Sequence, residues 1–282
     1  MAILDGFHAV KHALRFGASV TLIATDDPDA TGVLVRDLAP DLRDEVLARL
    51  SVLDRDTLTR AVGHRHPTGV VGLALRPTPD NHGAYRCDPR RRADRTSPAL
   101  LVADPHHGGN LGAVIRVAAA GGASGVIVLQ APDRSIDPFS RGVIRGAAGL
   151  HWALPVVTTA SVRELEGPLV ALDAQCPPEG LPMGMPLDQP LDQPMDPAAV
   201  PADSVLCLGS ERDGLPEELL DMAECLAIPM RAGVSSLNVA TAAAVALYAA
   251  GGPGLARPPA DPGSPTGPGP EGRGSSPGSP AR

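Results

Sequence analysis

Short apolar runs alternate with helical stripes along most of the chain. The short runs have the length and β-branched content of buried strands. They lie at Val20–Ala24, Val70–Leu75, Ala99–Ala103, Gly125–Leu129, Leu154–Val157, Leu169–Leu172, Val205–Leu208 and Cys225–Pro229. Helical spacing predicts helices at Gly6–Phe16, Thr31–Leu50 with a break at Pro40, Leu53–Val62, Leu111–Ala120 and Pro138–Gly149, and a last helix that ends near Ala250. Such alternation predicts an α/β fold with a parallel sheet covered on both faces.

Changes in composition divide the chain into two predicted domains. Residues 1–77 form a small α/β unit, residues 78–98 form a linker rich in proline and arginine, and residues 99–250 form a larger α/β domain. Inside the larger domain, residues 175–203 carry too many prolines for a strand or helix, which predicts a mobile surface insertion. Residues 251–282 are rich in Pro, Gly and Ser and predict a disordered tail.

Charge and cysteine content limit the classes of protein to which this chain can belong. The chain has 282 residues, a net charge of -8 and a pI near 5.4, which is unlike a nonspecific nucleic-acid binder but leaves room for a local basic patch. Cys87, Cys176, Cys207 and Cys225 are scattered without a CxxC pair, so we predict reduced thiols and no zinc site. Neither a signal peptide nor a membrane span is recognisable, so we expect a soluble cytoplasmic protein.

Two predicted strands near the end of the chain each run into a loop with few large side chains. Val205–Leu208 is followed by a turn-rich loop that carries one carboxylate, Glu211. Cys225–Pro229 runs into a second glycine-containing loop, after which Ser235 or Ser236 is a candidate cap of the last helix. Open α/β sheets place ligands at such strand ends. From the residues alone, a backbone-lined cofactor pocket and a pair of ordinary strand-to-helix loops both stay open.

Three basic clusters are candidates for phosphate binding. The stretch His64-Arg65-His66 offers donors to phosphate or a metal, but no carboxylate or cysteine completes a ligand set, so solvated loop residues are the favoured interpretation. The linker cluster Arg90–Arg95 has two interpretations of equal weight, a solvated hinge and a phosphate-steering strip. Arg141 and Arg145 are four positions apart and share one face of a predicted helix.

Two common enzyme classes are excluded by the spacing of motifs. The segment His107–Asn110 is similar to the oxyanion loop of α/β-hydrolases, but the chain has no G-x-S-x-G elbow to supply a nucleophile. Gly121, Gly122 and Gly125 follow a predicted helix instead of opening one, so they do not form a dinucleotide-binding fingerprint.

Three segments occur in an order that is typical of one RNA-modifying family. They are NLGAVIRVAAAGG (Asn110–Gly122), LCLGSERDGL (Leu206–Leu215) and IPMRAGVSSLNVATAAAVALY (Ile228–Tyr248). Together they closely resemble the three motifs of the SpoU (TrmH-type) branch of the SPOUT RNA methyltransferases. Residues 1–77 resemble, more weakly, the ribosomal-protein-like RNA-binding domain that precedes the catalytic domain in many members, through Gly6–Val10 and His66–Val71.

The resemblance implies a fold, a cofactor and a reaction. We expect an α/β domain with a parallel sheet and a C-terminal trefoil knot, an exception to unknotted topology, preceded by the small α/β RNA-binding domain. We also expect S-adenosyl-L-methionine against the knot loops, a homodimer, no metal, and methyl transfer to a ribose 2'-OH of RNA, with rRNA preferred over tRNA. A catalytically weak RNA-binding or ribosome-assembly protein on the same fold and a resistance-type methylase are the alternatives.

The resemblance also assigns roles to individual residues. Those expected at the cofactor, largely through backbone groups or by shaping its pocket, are Leu208, Gly209, Ile228, Met230, Ser236, Leu237 and Asn238. Asn110 and Glu211 are expected to brace the site, and Arg116 is the expected catalytic arginine. The expected RNA-binding residues are His64, Arg65, Arg141 and Arg145.

Arg116 stands alone among the apolar residues of its predicted helix, so we expect it to be paired or functional. Arginine is a poor base, and we therefore expect it to lie in the cofactor cleft, where it fixes an RNA phosphate and stabilises developing alkoxide charge. A role as base and a salt bridge to Glu211 are the alternatives. The loop before this helix is unusual, because five residues separate Asp104 from Asn110 where family members have Asp-Pro-x-Asn.

Overall fold

The computed structural model describes residues 1–64, 66–131, 135–173, 200–210, 213–228, 230–231 and 233–250. These residues form two sheets, one of four strands and one of six. The predicted insertion, apart from residues 200–203, and the predicted tail lie outside the described residues. Among the helices described, none combines the length and hydropathy that crossing a bilayer requires.

The N-terminal sheet contains strands that the apolar pattern predicts and two that it does not. Its strands are β1 (Ala2–Asp5), β2 (Val20–Thr25), β3 (Leu50–Val52) and β4 (Val70–Ala74). Strand β4 pairs antiparallel with β1 and β2, and β2 pairs in parallel with β3. The helices of this part are α1 (Phe7–Arg15), α2 (Pro28–Leu38), α3 (Arg43–Arg49) and α4 (Arg55–Val62). Strands β1 and β3 were not predicted because they are too short to show an alternation of apolar and polar residues.

The second sheet is parallel throughout, as predicted. Its strands are β5 (Ala99–Ala103), β6 (Val126–Leu129), β7 (Val156–Thr159), β8 (Leu169–Leu172), β9 (Val205–Leu208) and β10 (Glu224–Leu226), in the order β10-β8-β9-β5-β6-β7. The helices are α5 (Gly108–Ala120), α6 (Arg141–Gly146), α7 (Glu217–Leu220) and α8 (Val239–Ala249). Strand order reverses between β5 and β9, and a crevice at the carboxyl ends of the strands is the expected ligand site at such a reversal.

The two sheets are joined through a shared core. Ile144 of α6 and Trp152 pack into the buried cluster of the N-terminal sheet, which includes Phe7. Gly149 has a φ of +75°, and a Cβ atom there would lie 2.4 Å from the carbonyl oxygen of Ala9 in α1. The N-terminal part and the parallel-sheet part therefore contact each other directly, with α6 against β1 and α1 against the short 3-10 turn Leu150–Trp152.

Three arginines of the linker cluster are held by contacts within the protein, so the solvated hinge is wrong for these residues, and the phosphate-steering strip stays a prediction. Arg95 is buried and donates hydrogen bonds to the carbonyl groups of Pro89 (2.9 Å), Asp203 (2.7 Å) and Glu166. Arg90 and Arg92 are likewise held by hydrogen-bonded ion pairs with carboxylates. Because these guanidinium groups are used internally, the linker is clamped against the parallel sheet.

The cysteines depart in part from the prediction of reduced thiols. Cys87 and Cys207 are free, whereas Cys225 is in a disulfide. Sequence spacing carries no information on which thiols meet in space, and the exposed position of Cys225 on the edge strand β10 makes its sulfur accessible. Burial raises the pKa of the Cys207 thiol to about 12, so this cysteine is protonated and inert at neutral pH.

Candidate functional site

A cavity of about 500 Å³ opens at the carboxyl end of the parallel sheet. Its wall includes all seven residues that the sequence predicts at the cofactor, namely Leu208, Gly209, Ile228, Met230, Ser236, Leu237 and Asn238. Residues that the prediction missed also contribute, among them Leu172 and Asp173 at the end of β8. The volume is within the range of small-molecule sites, which are mostly apolar with a few placed polar groups.

The loop after β9 forms one wall of this cavity and is tightly closed. The amide of Ser210 donates to the carbonyl of Gly214 at 2.9 Å, and the amide of Asp213 donates to Oγ of Ser210 at 2.9 Å. Gly214 has a φ of +68°, which favours glycine. A Cβ atom on Gly209 would lie 2.7 Å from the carbonyl carbon of Gly214, so the two glycines allow the loop to fold back on its own strand end.

Asn238 and Asn110 connect the wall of the cavity to the start of α5. Nδ2 of Asn238 donates to Oδ1 of Asn110 at 3.3 Å, and Oδ1 of Asn238 accepts from the amide of Ala240 at 3.0 Å. Asn238 is therefore the N-cap of α8, and the predicted caps Ser235 and Ser236 are wrong. Helix α5 begins at Gly108 with His107 as N-cap, so the helix starts three residues before the predicted Leu111 and Asn110 lies in its first turn.

Arg116 does not line the cavity of its own chain, and its expected place in the cleft is wrong. It is exposed, and it lies six residues after Asn110, about 9 Å further along α5 and on another side of the helix. Gly109, Gly112 and Arg116 share the face that packs on α6, where a Cβ on Gly112 would meet the carbonyl oxygen of Val143 at 2.5 Å.

The surroundings of Arg116 belong to the N-terminal part of the chain. Burial lowers the pKa of His8 in α1, and the nearby charges of Lys11 and Arg116 lower it further. Arg116 is therefore close enough to α1 for its charge to act on His8. The alternative of a salt bridge to Glu211 involves a residue outside the described ones.

Three of the four predicted RNA-binding residues come together at the junction of the two sheets. His64, Arg141 and Arg145 surround the carboxylate of Asp5 at the end of β1. The prediction that no carboxylate accompanies the histidine stretch is therefore wrong, because Asp5 is distant in sequence and joins it only in the fold. The fourth predicted residue, Arg65, lies outside the described residues.

Comparison with known proteins decides the family. The model of the SpoU rRNA Methylase family matches residues 97–248, which contain the parallel sheet and the whole cavity. This chain belongs to the SpoU rRNA methylase family. The assignment agrees with the resemblance of the three sequence segments.

Several relatives of this SpoU family member are known. The 23S rRNA (guanosine(2553)-2'-O)-methyltransferase RlmP of Bacillus subtilis is 30% identical over 175 residues, which are 61% of this chain and 64% of that protein. The chain thus spans less than two thirds of the length of this relative. A crystal structure of an RNA 2'-O ribose methyltransferase is 25% identical with a TM-score of 0.61, covering 88% of this chain and 86% of that one. The fold is also that of the methyltransferase AviRb from Streptomyces viridochromogenes in complex with AdoMet, which is 24% identical with a TM-score of 0.63 over 88% of each chain.

The unusual loop before the first SpoU motif is held by a contact to the loop after β9. Nε2 of His106 lies 3.0 Å from Oδ2 of Asp213 and 3.8 Å from Oδ2 of Asp104. Asp104 itself has a φ of +36°, an uncommon conformation for a residue with a side chain. The residues inserted between Asp104 and Asn110 therefore attach this loop to the wall of the cavity through His106.

Proposed function

We propose that this SpoU family member transfers a methyl group from S-adenosyl-L-methionine to a ribose 2'-OH of RNA. The observation that carries the proposal is the cavity, because the seven residues that the SpoU motifs assign to the cofactor all line this one space. Two of the three motif segments supply them, one from the end of β9 and the other from the stretch between β10 and α8.

The residues of the cavity suit this methyl donor. Backbone groups at Gly209, Ile228 and Leu237 offer donors and acceptors to a polar nucleoside edge, while the Met230 side chain offers an apolar surface. The hydroxyl of Ser236 and the side chain of Asn238 add polar groups. When bound, the cofactor supplies an activated methyl group on a sulfonium, and the reaction needs no metal.

The chain's own residues have to orient the ribose and remove its hydroxyl proton. We assign Asn110 and Asn238 to bracing the cavity, since their hydrogen bond joins α5 to α8. Glu211, which lies outside the described residues, is retained as a second bracing residue. For Arg116 we retain the binding of an RNA phosphate, which its exposed position near α1 supports.

Ribosomal RNA is the substrate class that we favour over tRNA. The name of the Bacillus subtilis relative, a 23S rRNA methyltransferase, supports this choice, as does the weak resemblance of residues 1–77 to a ribosomal-protein-like RNA-binding domain. A protein with this substrate would act in the cytoplasm. The second candidate, an assembly protein with little catalysis, is motivated by the altered loop between Asp104 and Asn110.

A homodimer and a trefoil knot complete the proposal. Exposed apolar side chains lie in the loop before α8 and along α8, among them Val234, Val245 and Tyr248, and Tyr248 is 58% exposed. A second copy of the chain would cover them, and sedimentation equilibrium should then give twice the chain mass, whereas a monomer at micromolar concentration would contradict the dimer. The return of the chain from the edge strand β10 to pack α8 against α5 supports the knot.

The direct test is a methyl-transfer assay with tritiated S-adenosyl-L-methionine and the full-length chain. Protein-free rRNA and tRNA, each from a strain that lacks the gene, serve as parallel substrates. We expect label in rRNA and, after nuclease digestion, a 2'-O-methylated nucleotide. Label on a base would contradict ribose transfer, and label in tRNA alone would change the substrate class. Cofactor binding without any label would favour the assembly protein.

A further inference from the structure

A buried carboxylate lies between the two sheets. The side chain of Asp5, at the end of β1, has no exposed surface, and within the described part of the chain neither of its oxygen atoms has a hydrogen-bond partner. Buried polar groups are nearly always hydrogen-bonded, because leaving them without a partner destabilises the folded state. The position of Asp5 therefore calls for a functional explanation.

Three cationic or titratable side chains surround this carboxylate. Nε2 of His64 lies 3.1 Å from Oδ2 of Asp5 without the alignment of a hydrogen bond, while Nη1 of Arg145 and Nε of Arg141 lie 3.7 and 3.9 Å away. The side chains of Arg141 and Arg145 are 38% and 55% exposed. Attraction to Asp5 thus holds both guanidinium groups near the surface. Nη1 of Arg145 also lies 3.5 Å from Nε2 of His64, and the exposed part of each guanidinium group can contact a ligand.

The cluster is assembled from both parts of the chain. Asp5 and His64 come from the N-terminal sheet and from the loop after α4, whereas Arg141 and Arg145 come from α6 of the parallel sheet. The packing of Ile144, between the two arginines, into the N-terminal core fixes α6 against β1. The cluster therefore exists only when the two parts are docked.

We propose that Asp5 is a positioning residue that holds Arg141, Arg145 and His64 as a binding site for a phosphate group of the RNA backbone. Two guanidinium groups and one carboxylate leave a net positive charge, and guanidinium groups bind phosphate oxygens in a bidentate manner. The site extends the proposed function and rests on RNA being the substrate. It adds a contact at the docked junction, away from the cofactor cavity.

The substitution Asp5→Asn separates positioning from simple charge. If Asp5 only repelled phosphate, removing its charge would tighten RNA binding. If Asp5 positions the arginines, the same substitution frees their side chains and weakens RNA binding. The two accounts therefore predict opposite signs for a change that keeps the size of the side chain.

The experiment measures fluorescence anisotropy of a labelled mixed-sequence RNA hairpin with the full-length protein at several salt concentrations. We expect Asp5→Asn and Arg145→Gln each to weaken binding about tenfold and to lower the salt slope by roughly 0.7 to 0.9, the value of one phosphate contact. The matched control is Arg163→Gln, because Arg163 is also exposed and paired with a carboxylate, Glu218; it should bind as the wild type does. Unfolding temperature and cofactor calorimetry check that each variant is folded.

Tighter or unchanged RNA binding by folded Asp5→Asn would refute the positioning role of Asp5. Unchanged RNA binding by Arg145→Gln would refute the proposed phosphate-binding site. Should Asp5→Asn fail to fold, Arg141→Gln and Arg145→Gln together decide, since these exposed changes leave the core intact. The readout is independent of catalysis. A wild type that binds the hairpin with these slopes but transfers no methyl group would refute the proposed function and leave the site standing.

Discussion

The close approach of Gly209 to its own loop gives a sharp test of the cavity wall. In the substitution Gly209→Ala, the new methyl group would meet the carbonyl carbon of Gly214 at 2.7 Å, its Cα at 2.9 Å and the amide nitrogen of Leu215 at 3.0 Å. Carbon atoms in comfortable contact are about 3.5–4.0 Å apart. The loop after β9 must therefore shift away from Gly209 by several tenths of an ångström, and because this loop is part of the cavity wall, the shift changes the surface that faces the proposed cofactor.

The size of the effect follows from the cost of overpacking. Forcing a methyl group against backbone that cannot rotate away costs about 1–3 kcal/mol. If the free protein relieves this contact by opening the loop, cofactor binding has to close the loop again. The free-energy cost of the close contact is then subtracted from the binding free energy. Since each 1.4 kcal/mol is a tenfold change in affinity, the dissociation constant for S-adenosyl-L-methionine should rise roughly 5- to 150-fold.

Isothermal titration calorimetry of wild type and variant measures this change. Gly32→Ala in α2 is the matched control, because a Cβ atom there meets nothing within 4 Å, and its dissociation constant should equal that of the wild type. A folded Gly209→Ala protein whose dissociation constant stays within about twofold of the wild-type value would refute the assignment of this loop to the binding wall.

Two further predictions concern the stability of the fold. Arg95→Gln removes several charge-assisted hydrogen bonds to carbonyl groups and should lower the free energy of unfolding by at least about 3 kcal/mol in urea titrations. The control Arg91→Gln changes an exposed side chain and should leave the free energy of unfolding nearly unchanged. Equal stability of the two variants would contradict the clamped linker. His151 donates from Nε2 to the carbonyl of Pro138 at 2.8 Å, and burial lowers its pKa to about 4. The pKa of this histidine in the unfolded chain is about 6.5, so its contribution to the free energy of unfolding is complete above pH 6.5 and is lost as the pH falls towards 4, by about 3 kcal/mol. His151→Gln should flatten this dependence of the unfolding free energy on pH, and an unchanged dependence would refute the assignment.

Most of the parallel sheet was predictable because its strands are short, continuous apolar runs. The runs Ala99–Ala103, Leu169–Leu172 and Val205–Leu208 coincide with β5, β8 and β9. The missed strand β1 reads as AILD at the start of the chain, too short for periodicity to distinguish strand from helix. Two helix caps were also missed. His107 precedes α5 without a side-chain capping bond, whereas Asn238 caps α8 with its side chain but lies two and three positions after the serines that were predicted.

In the candidate site, too, contacts within one stretch of the sequence were predictable, whereas contacts between distant stretches were not. The residues that the second and third SpoU motifs assign to the cofactor line one cavity, since each of these motifs is a contiguous stretch that includes one loop. Arg116 was misplaced because the six residues that separate it from Asn110 turn its side chain by about 240° around α5, away from the side that Asn110 presents to Asn238. Asp5 and the carbonyl partners of Arg95 lie far away in sequence, so only the packed fold brings them to the groups that they contact.

The central claim is that the cavity at the carboxyl end of the parallel sheet binds the methyl donor. Calorimetric titration of the full-length wild-type chain with S-adenosyl-L-methionine tests it most directly. The account predicts saturable binding of one cofactor per chain. An absence of binding heat at high micromolar cofactor, with a chain that still unfolds cooperatively, would contradict it.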